Sequence, residues 1–241
     1  MKITSNPSTS PNSDIFLASA TQEMDLGAKF VTSDGSTYRY VKVGATATVA
    51  GKLYDGPAEV ANHQNIAVVT GALGATSITV TLGATAATLN QYAGGYVVVN
   101  DDAGQGYTYQ IKSHPAADAS ASLVLTLEDD QKIQVVLTTS SQVTLVPNQY
   151  NGIIIHASTE TGMPVGVATD IITAGYYGFI KTRGTVSLLQ DASAGDIGGS
   201  VAASTTTDGT GTAGTGVLAP IGFYLATGVS TEYNPVFLTL D

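Results

Sequence analysis

The sequence predicts an all-β protein. Three observations carry that expectation: apolar residues recur at every second position in short runs, Gly, Asn and Asp separate the runs, and 27 glycines accompany a charged fraction of only 12%. No stretch of ten residues combines helical periodicity with a cap and a stop, although 163 to 174 has room for one helical turn. The 241 residues suffice for one large or two small domains, and the 43% hydrophobic content supplies cores of ordinary size.

Residues 1 to 14 carry Pro7, Pro11 and a string of Ser, Thr and Asn, too polar to offset their own ordering entropy. They read as the start of an extended N-terminal arm over 1–23; a frayed terminus without a role is the competing reading. From Met24 the strands begin. Lys29-Phe30-Val31 and Thr37-Tyr38-Arg39-Tyr40-Val41-Lys42-Val43 flank Ser33-Asp34-Gly35-Ser36, and the Asp-Gly pair predicts a type I′ hairpin. Alternation puts Tyr38, Tyr40 and Lys42 on one face and Arg39, Val41 and Val43 on the other.

Residues 66–147 have their own pattern and predict a small barrel or sandwich. Ser77-Ile78-Thr79-Val80-Thr81-Leu82 alternates strictly, with Ile78, Val80 and Leu82 facing inward. Tyr96–Val99, Tyr107–Lys112, Leu123–Leu127, Ile133–Leu137 and Val143–Val146 bring the segment to at least six short strands, with turns at Asn100–Gly104 and Glu128–Gln131. Pro147-Asn148-Gln149-Tyr150-Asn151-Gly152 then marks a boundary, because proline lacks the donor a central strand needs. A second β-unit follows in Ile153–Ile155, Gly178–Lys181, Thr185–Leu189, Ile221–Ala226 and Val236–Leu240. Between these, 203–216 is Thr- and Gly-rich, has nothing to pack, and reads as a flexible loop or hairpin tip. Gly-Ala-Thr triplets at 44, 74 and 83 are too short and irregularly spaced for a solenoid and count as turn composition.

Nine Lys and Arg against 19 Asp and Glu give a formal charge of −10, which argues against nucleic acid as a partner, since phosphate binding needs basic side chains. With no cysteine, disulfides and thiolate chemistry are excluded. The opening Met1-Lys2-Ile3-Thr4 lacks an apolar signal core, and no run reaches the roughly 18 apolar residues of a membrane span, so synthesis in a host cytoplasm without membrane contact is expected.

Candidate chemistry is sparse. His63, His114 and His156 are far apart in sequence and form no metal-ligand spacing. Ser200 follows Gly198-Gly199 but lacks the glycine that would complete a nucleophile elbow. Gly104-Gln105-Gly106 precedes a strand rather than a helix, so it is no phosphate loop. Asp101-Asp102 and Asp129-Asp130 lie in turns, where solvated aspartates are the ordinary case. Of the 12 tyrosines, Tyr176-Tyr177 between Gly175 and Gly178 is the densest group and suits core or subunit packing better than a sugar platform. No catalytic, cofactor-binding or metal-binding residue is assigned, and no cofactor is expected.

One resemblance goes further. Gly166-Val167-Ala168, Thr173-Ala174-Gly175-Tyr176-Tyr177-Gly178-Phe179-Ile180-Lys181-Thr182-Arg183-Gly184, Gly195-Asp196-Ile197-Gly198-Gly199, Ile221-Gly222-Phe223 and Pro235-Val236-Phe237-Leu238-Thr239-Leu240 follow one another in an order that resembles tailed-phage capsid decoration proteins. That group includes the lambda-like decoration fold and marine-phage virion proteins of similar length. Upstream, Asp34-Gly35-Ser36-Thr37-Tyr38-Arg39-Tyr40-Val41 and Ala50-Gly51-Lys52-Leu53-Tyr54 are similar to the opening of such proteins. Lambda-like members are commonly much shorter, so 66–147 departs from their pattern. The resemblance implies that 24–65 and 148–241 fold together as a capsid-binding β-domain with 66–147 inserted. It further implies a non-enzymatic virion protein on the outer capsid surface, a homotrimer that cements the major capsid protein through many modest contacts. The arm would add a strand to a neighbour's sheet, and its deletion would weaken attachment. A tail, fibre or spike component and a carbohydrate-binding adhesion module are the alternatives; a polysaccharide hydrolase lacks an identifiable carboxylate pair.

Overall fold

A computed structural model describes residues 14–241. The expected arm lies outside the described residues up to position 13. Sixteen strands follow in chain order: β1 (Lys29–Val31), β2 (Thr37–Val43), β3 (Leu53–Asp55), β4 (Ile66–Thr70), β5 (Ser77–Thr81), β6 (Tyr96–Asp101), β7 (Thr108–Ser113) and β8 (Ser122–Leu127). Then come β9 (Gln142–Val146), β10 (Asn151–Ile155), β11 (Pro164–Ala168), β12 (Tyr177–Leu189), β13 (Ser200–Ala203), β14 (Gly211–Ala213), β15 (Pro220–Tyr224) and β16 (Tyr233–Thr239). The only helical pieces among the described residues are the 3₁₀ turns Asp14–Phe16 and Ala61–His63. The protein is all-β.

The chain divides into two compact units: a flanking unit, made of the stretch up to Ala58 with Gln149–Asp241, and an inserted unit, Glu59–Asn148. In the flanking unit, β2 pairs in parallel with β10, which pairs with β3, then β11, then β12, and β12 returns to β2, closing a ring of five strands. Val41, Val43, Tyr54, Ile153, Ile172 and Ile180 fill its interior. Alternation along β2 explains the split: Val41 and Val43 turn into this core, while Tyr38 and Tyr40 turn outward to pack with Ile15, Phe30 and Phe179.

Strand β12 runs for 13 residues without a break where the sequence pattern suggests two short strands. Its first half belongs to the ring and its second half pairs with β16, which leads on to β15, β13 and β14. Gly184 marks the change at φ 103°; a β-carbon there would lie 2.5 Å from Ser36 Oγ. A second core, with Leu188, Val201, Ile221, Tyr224, Val236 and Leu238, lies under this sheet.

Four expectations need correction in this unit. The 32–36 hairpin is not type I′, because only Gly35 takes a positive φ, 77°. Asp34 instead accepts hydrogen bonds from the Thr32 hydroxyl and from the Ser36 amide and hydroxyl, so side chains organise the turn. No helical turn forms at 163–174: β11 occupies 164–168, its carbonyls and amides serving β3 and β12. Within 203–216, Ser204 and Thr210 are buried and β14 pairs with β13, so much of that segment is packed. Finally, the stretch after position 13 does not stand free: Ile15 is buried and Ser19 exchanges backbone hydrogen bonds with Tyr177.

The inserted unit is a closed barrel of six antiparallel strands in the order β4-β5-β8-β7-β6-β9. Its core includes Ile78, Val80, Leu82, Leu123, Leu125 and Leu127, the inward faces read from the alternation. Ile133–Leu137 is not a strand. Ile133 and Leu137 plug the core from a loop that bridges to Gly71 and bonds Tyr109 and Gln110 of β7 through Gln134 and Gln131, and the sixth strand is β4. The barrel is two copies of one plan. In each half, β4-β5-β6 or β7-β8-β9, a hairpin is followed by a long loop and a third strand, β5 meets β8, β6 meets β9, and the loops make matching bridges, Gly71–Leu137 and Ala87–Ala117. The unit begins at Glu59 rather than at 66 because the Ala61–His63 turn anchors to the barrel through His63.

Candidate functional site

The three histidines do not meet. His63 and His114 flank Tyr92 in the inserted barrel, with ring centroids 5.6 and 5.8 Å from it, while His156 lies in the flanking unit. His63 is fully buried; its Nε2 donates to the Thr85 carbonyl at 2.9 Å, and in the neutral ring Nδ1 accepts the Tyr92 hydroxyl. His114 accepts the Tyr92 amide at Nε2 (2.9 Å) and donates from Nδ1 to the Pro115 carbonyl (2.7 Å). Burial lowers its pKa and pushes the Tyr92 hydroxyl up to about 12, so both stay neutral. These rings tie the Ala61–His63 turn, the β5–β6 loop and the start of the β7–β8 loop to one another.

His156 forms a buried ion pair. Its Nδ1 donates to both oxygens of Asp55, at 3.0 and 2.9 Å, and its Nε2 donates to the Ser204 carbonyl at 2.9 Å. Burial opposes the charge, but the Asp55 hydrogen bond and charge, with the Ser204 carbonyl, outweigh it and the pKa is raised. An Asp-His pair of this kind could activate a serine only if Nε2 faced a hydroxyl. Here Nε2 is held by a carbonyl, and the Ser204 hydroxyl donates instead to Asp191 at 2.7 Å. The pair joins β3 and β10 to the 203–211 segment and has no nitrogen available for proton transfer.

Asp102 accepts the Thr138 hydroxyl at 2.8 Å, and Asp129 forms a surface ion pair with Lys112 at 2.6 Å. Ser200 opens β13, its carbonyl accepting the Gly214 amide. Gly104 and Gly106 take φ 83° and 87° in the β6–β7 turn. Tyr177 stacks on Tyr40 at 6.0 Å with Lys42 over its ring, and Tyr176 is exposed. Among the described residues no group of three or more His, Cys, Asp or Glu is placed to hold a metal, and no helix is long and apolar enough to cross a membrane. The bidentate Arg39–Asp241 pair, at 2.7 and 2.6 Å, was invisible in the sequence because 202 positions separate its partners.

What the flanking unit offers to other molecules is apolar surface. On the outward side of β12, β16 and β15, Phe223 pairs across strands with Phe237, Phe237 with Thr185, and Pro235 with Ser187. Tyr233 and Leu225 extend this face; Phe223, Leu225 and Tyr233 are 44%, 43% and 51% exposed. The outward positions of β12 and β16 from Arg183 onward carry one charged side chain, Arg183 itself. A second apolar feature, a groove of about 330 Å³, is lined by Leu17, Met24, Phe30, Tyr40, Tyr177 and Phe179, with Ser19 and Glu23 at its edge. Comparison with known proteins finds no matching family model, no similar curated protein and no similar solved structure.

Proposed function

We propose that this chain is a non-enzymatic structural protein of a phage virion, a decoration or cement protein that assembles as a homotrimer and grips the major capsid lattice from outside. The observation that carries the reading is the charge-poor aromatic face of β12, β16 and β15 on a chain of net charge −10. Acidic copies repel one another wherever their carboxylates meet, so they associate through a face that presents rings and hydroxyls. Tyrosine and phenylalanine suit such contacts because they contribute large area with few rotatable bonds. The internally hydrogen-bonded histidines support a passive role.

Two measurements test this. Sedimentation velocity of the full chain gives a trimer, and Phe223→Ser with Phe237→Ser shifts it to monomer; a wild-type monomer at tens of micromolar refutes the self-association. Electron microscopy of the native particle then places the chain on the capsid surface. Density on the tail or a fibre instead would transfer the protein to that class, and an absence from the particle would end the virion reading.

A further inference from the structure

The flanking unit also contains a buried ammonium that its own fold leaves short of an anion. Lys181 is 8% exposed; its Nζ donates to the Thr185 carbonyl at 2.8 Å and the Ser36 hydroxyl at 3.3 Å, and sits over the Tyr38 ring at 5.1 Å. Among the described residues no carboxylate lies within ion-pair distance of it. Asp34 attracts it from beyond contact distance, with Ser36 between them, the Ser36 hydroxyl donating to the Asp34 carboxylate at 2.8 Å. An ammonium has three protons to donate, and the protein takes two. Burying a charge without a direct counter-charge is costly, so the missing partner is an anion.

Lys181 lines a cavity of about 380 Å³, within the range of small-molecule sites. Tyr38, Val186 and Ala168 make apolar wall, while Phe16 and Tyr233, each about half exposed, stand beside them. Thr169 is in the same lining, and its hydroxyl is buried with no hydrogen-bond partner among the described residues. We propose that this cavity is a binding site for a small monocarboxylate with a ring or short aliphatic body, its carboxylate on Lys181 and its apolar part among Tyr38, Phe16 and Tyr233. A single ammonium balances the one charge of a carboxylate and leaves half the charge of a phosphate dianion uncompensated. The cavity shares Tyr233, Thr185 and Ser187 with the face proposed for assembly, but Lys181 and Thr169 belong to one chain and the carboxylate contact needs no second copy.

Benzoate is the probe and benzyl alcohol, of the same size without the charge, is the control. Titrated into the full-length protein and followed by amide shifts, benzoate saturates at one equivalent and perturbs residues around Thr169, Lys181 and Tyr233. Lys181→Met keeps the aliphatic stem and weakens benzoate roughly tenfold or more while leaving benzyl alcohol unchanged. In the wild type the side-chain resonances of Lys181 report a rise in its pKa when benzoate is added, a readout that needs no variant. Burial holds that pKa below the ordinary lysine value against the opposing pull of the Asp34 charge. The proposal is overturned if benzoate does not saturate, if it binds no better than benzyl alcohol, or if the Lys181 pKa does not move.

Discussion

Removing the carboxylate of Asp55 is the sharpest test of how the flanking unit is held together. Asp55 and His156 are 0% and 1% exposed, and three hydrogen bonds of 2.9 to 3.0 Å surround the imidazole. In Asp55→Ala the ring loses both its charge partner and two of those bonds while staying buried, a change of the kind that costs about 3–5 kcal/mol. Asp55→Asn keeps the shape and one acceptor, so the ring relaxes to neutral and the cost falls to about 1–2 kcal/mol. Equilibrium urea unfolding, resolved by amide resonances of β3, β10 and β11, measures both. The pair also sets a pH dependence. Because the folded pKa of His156 is raised from 6.5, its stabilisation is complete below pH 6.5 and is lost as pH rises through the raised value. That loss is absent in Asp55→Asn. Equal midpoints for Asp55→Ala and wild type, or an unchanged pH profile in Asp55→Asn, would refute the ion pair.

Three further outcomes are expected. Tyr92→Phe leaves the buried His63 Nδ1 without its hydroxyl donor and destabilises the inserted barrel by about 1–3 kcal/mol, read as a lower urea midpoint for β4 to β9. Acid acts on the two units in opposite senses: His114 has a folded pKa lowered by burial, so stability is full above 6.5 and falls as pH drops through the lowered value. Hydrogen exchange, converted to opening free energies between about pH 7.5 and 5.5, should weaken β6 and β7 while β3 and β10 hold. Gly184→Ala forces a left-handed residue to carry a β-carbon 2.5 Å from Ser36 Oγ, costing about 1–3 kcal/mol. Gly35→Ala, with φ 77° but open space, costs less, about 1 kcal/mol, and thermal denaturation should rank them in that order.

Reading the strands from the sequence worked where a local rule was sufficient. Val41 and Val43 face one core and Tyr38 and Tyr40 another because side chains alternate along any strand, whatever it pairs with. The same rule found Ile78, Val80 and Leu82, and Leu123, Leu125 and Leu127. It failed at Ile133–Leu137, where an apolar run enters the core from a loop, and at 163–174, where a glycine-interrupted strand between two partners has no pattern of its own. The candidate surface was half legible: Phe223 and Phe237 are visible as strand residues, but their adjacency depends on β15–β16 register.

By itself the sequence determined the all-β class, the alternating faces, the acidic balance and the exclusion of cysteine chemistry, since each depends on residue type or on neighbours two positions apart. Only the tertiary structure decided that β2, β10, β3, β11 and β12 close a ring, and that the inserted barrel repeats one plan twice. It alone brought Asp55 to His156 and left Lys181 buried beside a cavity. These contacts join residues up to 101 positions apart in the first case, and pairing over such distances is set by which surfaces bury one another, which no short window of sequence records.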